Sequence, residues 1–237
     1  MARPPRLELP GVPLHITQRG VNRCAVFLDD DDRHDYLRLL GLFAKQNVLA
    51  IHAYVLMGNH VHLLVSAPRP GAVSATLHRS TQCYVQAFNH RHRRTGTLWE
   101  GRFKSCLVAT DDHLLRVYRY IERNPVRAGM VSAPNEYAWS SVHVNLGLKF
   151  DSLVAPHPCF LALGRDAKAR SAAYRAWLHA DEDQAQLESI RAHVAQQRAY
   201  GDLRFQAMVE RTFNRSVSIR SRGRPSGNSS LPDGSQA

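Results

Sequence analysis

Apolar and polar positions alternate along Pro13 to Gly20 (PLHITQRG), and β-branched Ile16 and Thr17 sit within the run, so this stretch predicts a first strand. The acids Asp29 to Asp32 follow, suited to a helix N-terminus. From there Tyr36, Leu37, Leu39, Leu40, Leu42 and Phe43 recur at helical spacing as far as Asn47. Val48 to Met57 is a strand-forming run, Gly58-Asn59 is a turn signal, and His60 to Ala67 is the return strand of a hairpin. Ala72 to about Arg94 reads as a helix, Leu98 to Val108 as a further strand, and Asp111 to Arg123 as an acid-capped helix with Leu114, Leu115, Val117 and Ile121 on its apolar side.

The first six elements run strand, helix, strand, strand, helix, strand. That order predicts an α+β fold: a ferredoxin-like or RRM-like βαββαβ antiparallel sheet with helices on one face. We place a domain boundary near residue 152, where Pro156 and Pro158 suggest a linker. A smaller helical region over 153–215 follows, and the Ser/Gly/Pro/Arg-rich tail over 216–237 is expected to be disordered.

Charge narrows the partner. The 237 residues carry 31 Lys and Arg against 20 Asp and Glu, a net charge of +11, which favours a polyanion such as nucleic acid. The four cysteines form no CxxC pair, so they read as reduced thiols rather than a zinc knuckle or disulfide framework. The first ten residues hold no apolar signal segment, and no apolar run approaches the ~20 residues that span a bilayer. A cytoplasmic protein with no membrane partner is expected, as monomer or homodimer.

Three features could carry chemistry. His60 and His62 are two apart on a strand, so both imidazoles share one face and can reach one metal ion. Tyr120 and Asn124 are four apart on a helix and project together; Pro125 should end that helix at Asn124. Tyrosine can serve as a covalent nucleophile, and an amide oxygen can be a third ligand. Tyr118 with Glu122 is a rival pair of the same spacing on another side of the helix, and the pattern alone leaves the choice open. Third, in Trp99 to Lys104 (WEGRFK) a strand would put Glu100, Arg102 and Lys104 on one face and Trp99 with Phe103 on the other, a charged stripe beside an aromatic one that suits single-stranded DNA.

Three ordered runs carry a resemblance. They are Met57-Gly58-Asn59-His60-Val61-His62-Leu63, Trp99-Glu100-Gly101-Arg102-Phe103-Lys104, and Tyr120-Ile121-Glu122-Arg123-Asn124-Pro125-Val126-Arg127-Ala128-Gly129. With the opening His15-Ile16-Thr17-Gln18-Arg19-Gly20 and Asn22-Arg23, they resemble the REP-associated tyrosine transposases of the single-tyrosine HUH nuclease superfamily, over about residues 10 to 145. The resemblance implies that Tyr120, not Tyr118, is the nucleophile and that His60, His62 and Asn124 are the metal ligands. The mixed nitrogen and oxygen set, with a phosphate substrate, points to Mg²⁺ or Mn²⁺. The implied activity is single-strand DNA cleavage and strand transfer through a 5′-phosphotyrosine, and the implied substrate is single-stranded DNA with palindromic hairpins. Some relatives carry a glutamate just before the HxH pair, where this chain has Gly58-Asn59. The expected DNA contacts are Arg19, Arg23, Glu100, Arg102, Lys104 and Arg127, joined by Arg222 and Arg224 of an AT-hook-like Arg222-Gly223-Arg224-Pro225 in the tail. A non-catalytic DNA-binding repressor on the same fold is the alternative, and an RNA-binding module is a third reading.

Overall fold

The computed structural model describes residues 5–110 and 112–220. Strand β1 (Leu14–Arg19) leads through a single 3₁₀ turn to helix α1 (Asp30–Gln46), whose start is fixed by the Asp29 carboxylate accepting from the Asp32 backbone N–H at 3.0 Å. The hairpin β2 (Ala50–Met57) and β3 (His60–Ser66) turns at Gly58-Asn59. Helix α2 (Ala72–Arg91), strand β4 (Lys104–Val108) and helix α3 (Asp112–Glu122) follow. Short helices α4 (Asn124–Arg127), α5 (Val142–Asn145) and α6 (Pro158–Leu161) lead to α7 (Ala167–His179), α8 (Gln184–Gln196), the two-residue strand β5 (Ala199–Tyr200) and α9 (Leu203–Phe213).

The sheet order is β2-β3-β1-β4-β5, antiparallel except that β5 pairs parallel to β4. Its first four strands have the expected ferredoxin-like arrangement. Period-2 alternation sorts the strand residues onto two faces. Leu14, Ile16, Val61, Leu63, Val65 and Leu107 pack into one core with Leu40, Leu77 and Tyr84 of α1 and α2. The opposite face is not left open. Val55, Leu64, Cys106 and Val108 build a second core there with Leu114, Val117, Tyr118 and Ile121 of α3 and with Tyr174, Leu187 and Ile190 of the C-terminal helices. The C-terminal segment therefore shares both the sheet and its cores. Among the described residues no helix is long and apolar enough to cross a membrane.

Four local expectations change. The strand foreseen from Leu98 begins only at Lys104, because Gly101 takes a left-handed φ of +72° and both Trp99 and Phe103 turn inward; Trp99 keeps one bridge, to Gly20. Gly20 itself is tightly approached, since a Cβ there would lie 2.3 Å from the Cys24 carbonyl oxygen. The turn at Pro125 does not end helical structure: α3 stops at Glu122 and α4 restarts at Asn124, with Pro125 in its first turn, where the missing N–H costs nothing. The Pro156 region is no free linker, because Val154 bridges Ile51 and Ala155 donates to the Ile51 carbonyl at 2.8 Å. Residues 216–220 lie against the fold, with Val217 buried and its N–H donating to Glu210 at 2.8 Å. Arg222 and Arg224 lie outside the described residues.

The α3 packing commits Tyr118 and Glu122 to the core. Tyr118 is fully buried and stacks on Phe160 at 5.4 Å, and Glu122 is fully buried among Ser141, Asn145 and Tyr174, which donate to it at 2.6, 2.6 and 2.7 Å. Burial raises the Glu122 carboxyl to about 7 against the lowering effect of those three donors. Glu122→Ala would orphan the Asn145 amide and the Tyr174 hydroxyl, at about 1–3 kcal/mol for each buried group left unpaired, while Ser141 keeps the Tyr54 carbonyl oxygen at 3.3 Å. We expect a loss of at least about 2 kcal/mol of stability in urea unfolding; a loss under about 0.5 kcal/mol would contradict this role.

Candidate functional site

The second face of the sheet carries the site. His60 and His62 follow one another on the same face of β3, and register places Thr17 of β1 opposite His62 and opposite Lys104 of β4. Their rings lie 5.1 Å apart, nearly perpendicular. Each is held through Nδ1. The Asn59 amide oxygen sits 2.6 Å from His60 Nδ1, so that nitrogen donates and Nε2 keeps its lone pair. His62 Nδ1 sits 2.9 Å from Nε2 of His15, a fully buried β1 histidine stacked on it at 5.2 Å. Burial drives all three imidazoles towards the neutral form: His15 falls to about 3, His60 to about 4 with a further push from Arg19, and His62 falls well below the ordinary range. Neutral imidazole is the form that binds metal.

Helix α3 delivers Tyr120 onto this cluster. Its ring meets His62 edge-on at 5.6 Å and His15 at 5.5 Å. Arg127 covers the same ring, its guanidinium carbon 4.5 Å from the ring centroid, and it also donates to the Tyr120 carbonyl oxygen. Glu182, between α7 and α8, anchors that arginine at 2.8 Å and pairs with Arg123 at 3.0 Å. A residue of the C-terminal segment thus fixes the arginine that fixes the tyrosine.

His60, His62, Tyr120, Asn124 and Arg127 line a single cleft of about 410 Å³. Arg19, Glu100, Arg102 and Lys104 line it too, and α8 adds Arg191 to the wall. Five cationic side chains against Glu100 make it a strongly positive cavity. Arg23 is exposed but is not among the cleft residues. Glu100, Arg102 and Lys104 reach the cleft without the strand alternation expected of them, since the turn at Gly101 keeps all three exposed while Trp99 and Phe103 stay buried.

Several of these groups carry no local signal in the sequence. His15 and Gln18 lie in the first strand, yet nothing local marks a buried histidine as a partner of another one 47 positions away. Asn59 read only as a turn residue. Arg191 and Glu182 belong to helices that carry no motif. Elsewhere Asp29, Asp32 and His92 bring ligand-type atoms within 4.8 Å of one another. Arg91 already engages this cluster, pairing with Asp29 at 2.7 Å and Asp32 at 2.8 Å, while Asp29 also caps α1, so it is an ion-pair network that ties α2 to α1.

Residues 10–124 match the family model described as IS200-like transposase. No curated protein matches the chain. Among solved structures, the fold is similar to one described as a REP-associated tyrosine transposase bound to a REP hairpin, at 18% identity and a TM-score of 0.54, over 66% of this chain and 99% of that one. A putative transposase from Deinococcus radiodurans R1 is 26% identical with a TM-score of 0.35, over 52% of this chain and 97% of that one. The family match spans β1 to the start of α4 and so contains both histidines, Tyr120 and Asn124. Residues 10–124 of the chain are thus similar to the IS200-like transposases.

Proposed function

We propose that this protein is a transposase that cleaves and rejoins single-stranded DNA with Tyr120 as nucleophile, on a divalent metal held by His60, His62 and Asn124. The observation that carries the reading is the convergence of those four side chains in one positively charged cleft, both histidines neutral. The donor set suits a metal: His60 has its Nδ1 hydrogen committed to Asn59, and Asn124 offers an oxygen. In the His15–His62 pair the shared proton has two positions, and the one with His62 as donor leaves its Nε2 free to ligate. When bound there, Mg²⁺ or Mn²⁺ supplies Lewis-acid polarisation of the scissile phosphate.

The chain's own residues do the rest. The Tyr120 hydroxyl oxygen forms a bond to phosphorus and gives up its proton to solvent, while the bond to the 3′ oxygen breaks and that oxygen leaves as a 3′ hydroxyl. One phosphodiester replaces another, so a later 3′ hydroxyl can reverse the step without a nucleotide cofactor. Arg127 and the histidine rings hold the phenol in place, which removes orientational freedom before attack. Arg19, Arg102, Lys104 and Arg191 neutralise flanking phosphates. The REP hairpin in the complex of the fold relative supports folded palindromic repeats as the substrate class.

Tyr120→Phe removes one oxygen, so it should abolish a covalent protein–DNA adduct while leaving affinity for hairpin DNA within about twofold; Tyr118→Phe should still form the adduct. An adduct on the Tyr120→Phe protein would refute the assignment, and no adduct in any divalent metal would favour a DNA-binding repressor.

His60→Ala and His62→Ala should eliminate cleavage, and EDTA should do so reversibly; full activity in EDTA would exclude a metal. Asn124→Ala should be milder, because water can replace one neutral ligand. His15→Ala should weaken Mn²⁺ binding by about 10–100-fold, as removal of a ligand's outer partner does, which titration monitored by Mn²⁺ electron paramagnetic resonance would measure.

Arg102→Ala with Lys104→Ala should reduce both affinity and cleavage. It should also flatten the dependence of affinity on salt by about 0.7 of log–log slope for each lost phosphate contact on a single strand. An unchanged slope would remove these two side chains from the DNA path.

A further inference from the structure

Beside the catalytic cleft runs a second cavity of about 450 Å³, on the α2 side of the sheet, between α2 and the Trp99–Phe103 segment. We infer that this groove holds an unstacked base of the same single strand whose phosphate enters the cleft, an inference that rests on the single-stranded DNA reading above.

Four observations point to a base. Leu77, Val85, Trp99 and Phe103 give the groove apolar and aromatic walls, suited to the flat face of a heterocycle. Arg6 and Arg102 also line it and no carboxylate does, which fits a ligand attached to phosphates. The Arg6 guanidinium lies over the Phe103 ring, 3.6 Å from its centroid, and donates to the Phe103 carbonyl at 3.1 Å, so this cation is fixed in place as part of the wall. Third, Gln18 and Arg102 line both cavities, so a strand leaving the cleft passes round the end of the sheet directly into the groove.

The fourth observation concerns unpaired polar atoms. Gln18 is 7% exposed and Trp99 5% exposed, yet Gln18 Oε1 and Trp99 Nε1 have no hydrogen-bond partner among the described residues. Buried polar atoms left unpaired are costly, and the great majority in folded proteins find a partner. Both residues line the groove, so a base edge that displaces part of this wall meets one acceptor and one donor, matching the mixed donors and acceptors along the edge of a base. The same segment explains the path: Gly101, with φ at +72°, ends the extended chain before β4, and this turn sets Arg102 between the two cavities.

The test compares binding of two single strands of equal length by fluorescence anisotropy, a thymidine homopolymer and an abasic deoxyribose-phosphate strand. The wild-type protein should prefer the thymidine strand roughly tenfold, the scale of one base stacked on aromatic side chains. Val85→Trp fills the groove and should bring that preference to within about twofold. Trp99→Phe keeps an aromatic ring but removes the donor, and should lower the preference severalfold. On the wild-type protein, where no variant can misfold, a strand carrying 5-iododeoxyuridine should photocrosslink to peptides containing Trp99 or Phe103. Absence of a base preference in the wild type, its survival in both variants, or crosslinks confined to other peptides would overturn the groove. Failure of the wild-type protein to bind either strand would instead overturn the single-stranded DNA reading itself.

Discussion

The seating of α3 on the second face of the sheet is the constraint on which the site depends. Leu114, Val117, Tyr118 and Ile121 bury themselves against Val55, Leu64 and Val108, at about 1.5–3 kcal/mol for each fully buried large side chain. That packing fixes the rotation of the helix. Once it is fixed, Tyr118 and Glu122 are committed to the core, and Tyr120 has one place to go, over His62 and His15. The proposed nucleophile is brought to the cleft by the apolar packing of its helix, and Arg127 and the histidine rings then hold its ring.

Burial also sets the electrostatics. Three imidazoles close together would repel one another if charged, and desolvation holds each of them neutral. Positive charge is supplied instead by side chains that do not titrate near neutrality, chiefly the cleft arginines. The division is useful chemically, since neutral nitrogens can ligate a cation while fixed cations attract phosphate. Arg127 belongs to both arrangements, because it lines the cleft and also covers the Tyr120 ring, and Glu182 keeps it from straying.

The C-terminal segment is part of this design. Strand β5 extends the sheet beyond β4, α8 contributes Arg191 to the cleft wall, and Glu182 ties the α7–α8 connection to Arg123 and Arg127. The family match ends at residue 124, so these contributions come from a part of the chain that the family model does not describe.

The sequence by itself determined the order of elements and the faces of its strands. Period-2 alternation is a local property, so the common face of His60 and His62 followed from two-residue spacing. The hairpin followed from Gly58-Asn59, and the start of α1 from its acids. The structure decided what depends on long-range packing. It turned Tyr118 into the core and brought Tyr120 against His62 and His15, because the rotation of a helix depends on the sheet it meets. It paired His15 with His62 across two strands, a contact no local pattern encodes. It shortened the strand at Trp99, because inward anchoring of two aromatics around a left-handed glycine outweighs the β propensity of the run. It also covered the second face of the sheet with helices whose sequence carries no motif. Apolar area can be buried by many different residues, so the chain's local sequence leaves the choice of partner to the tertiary fold.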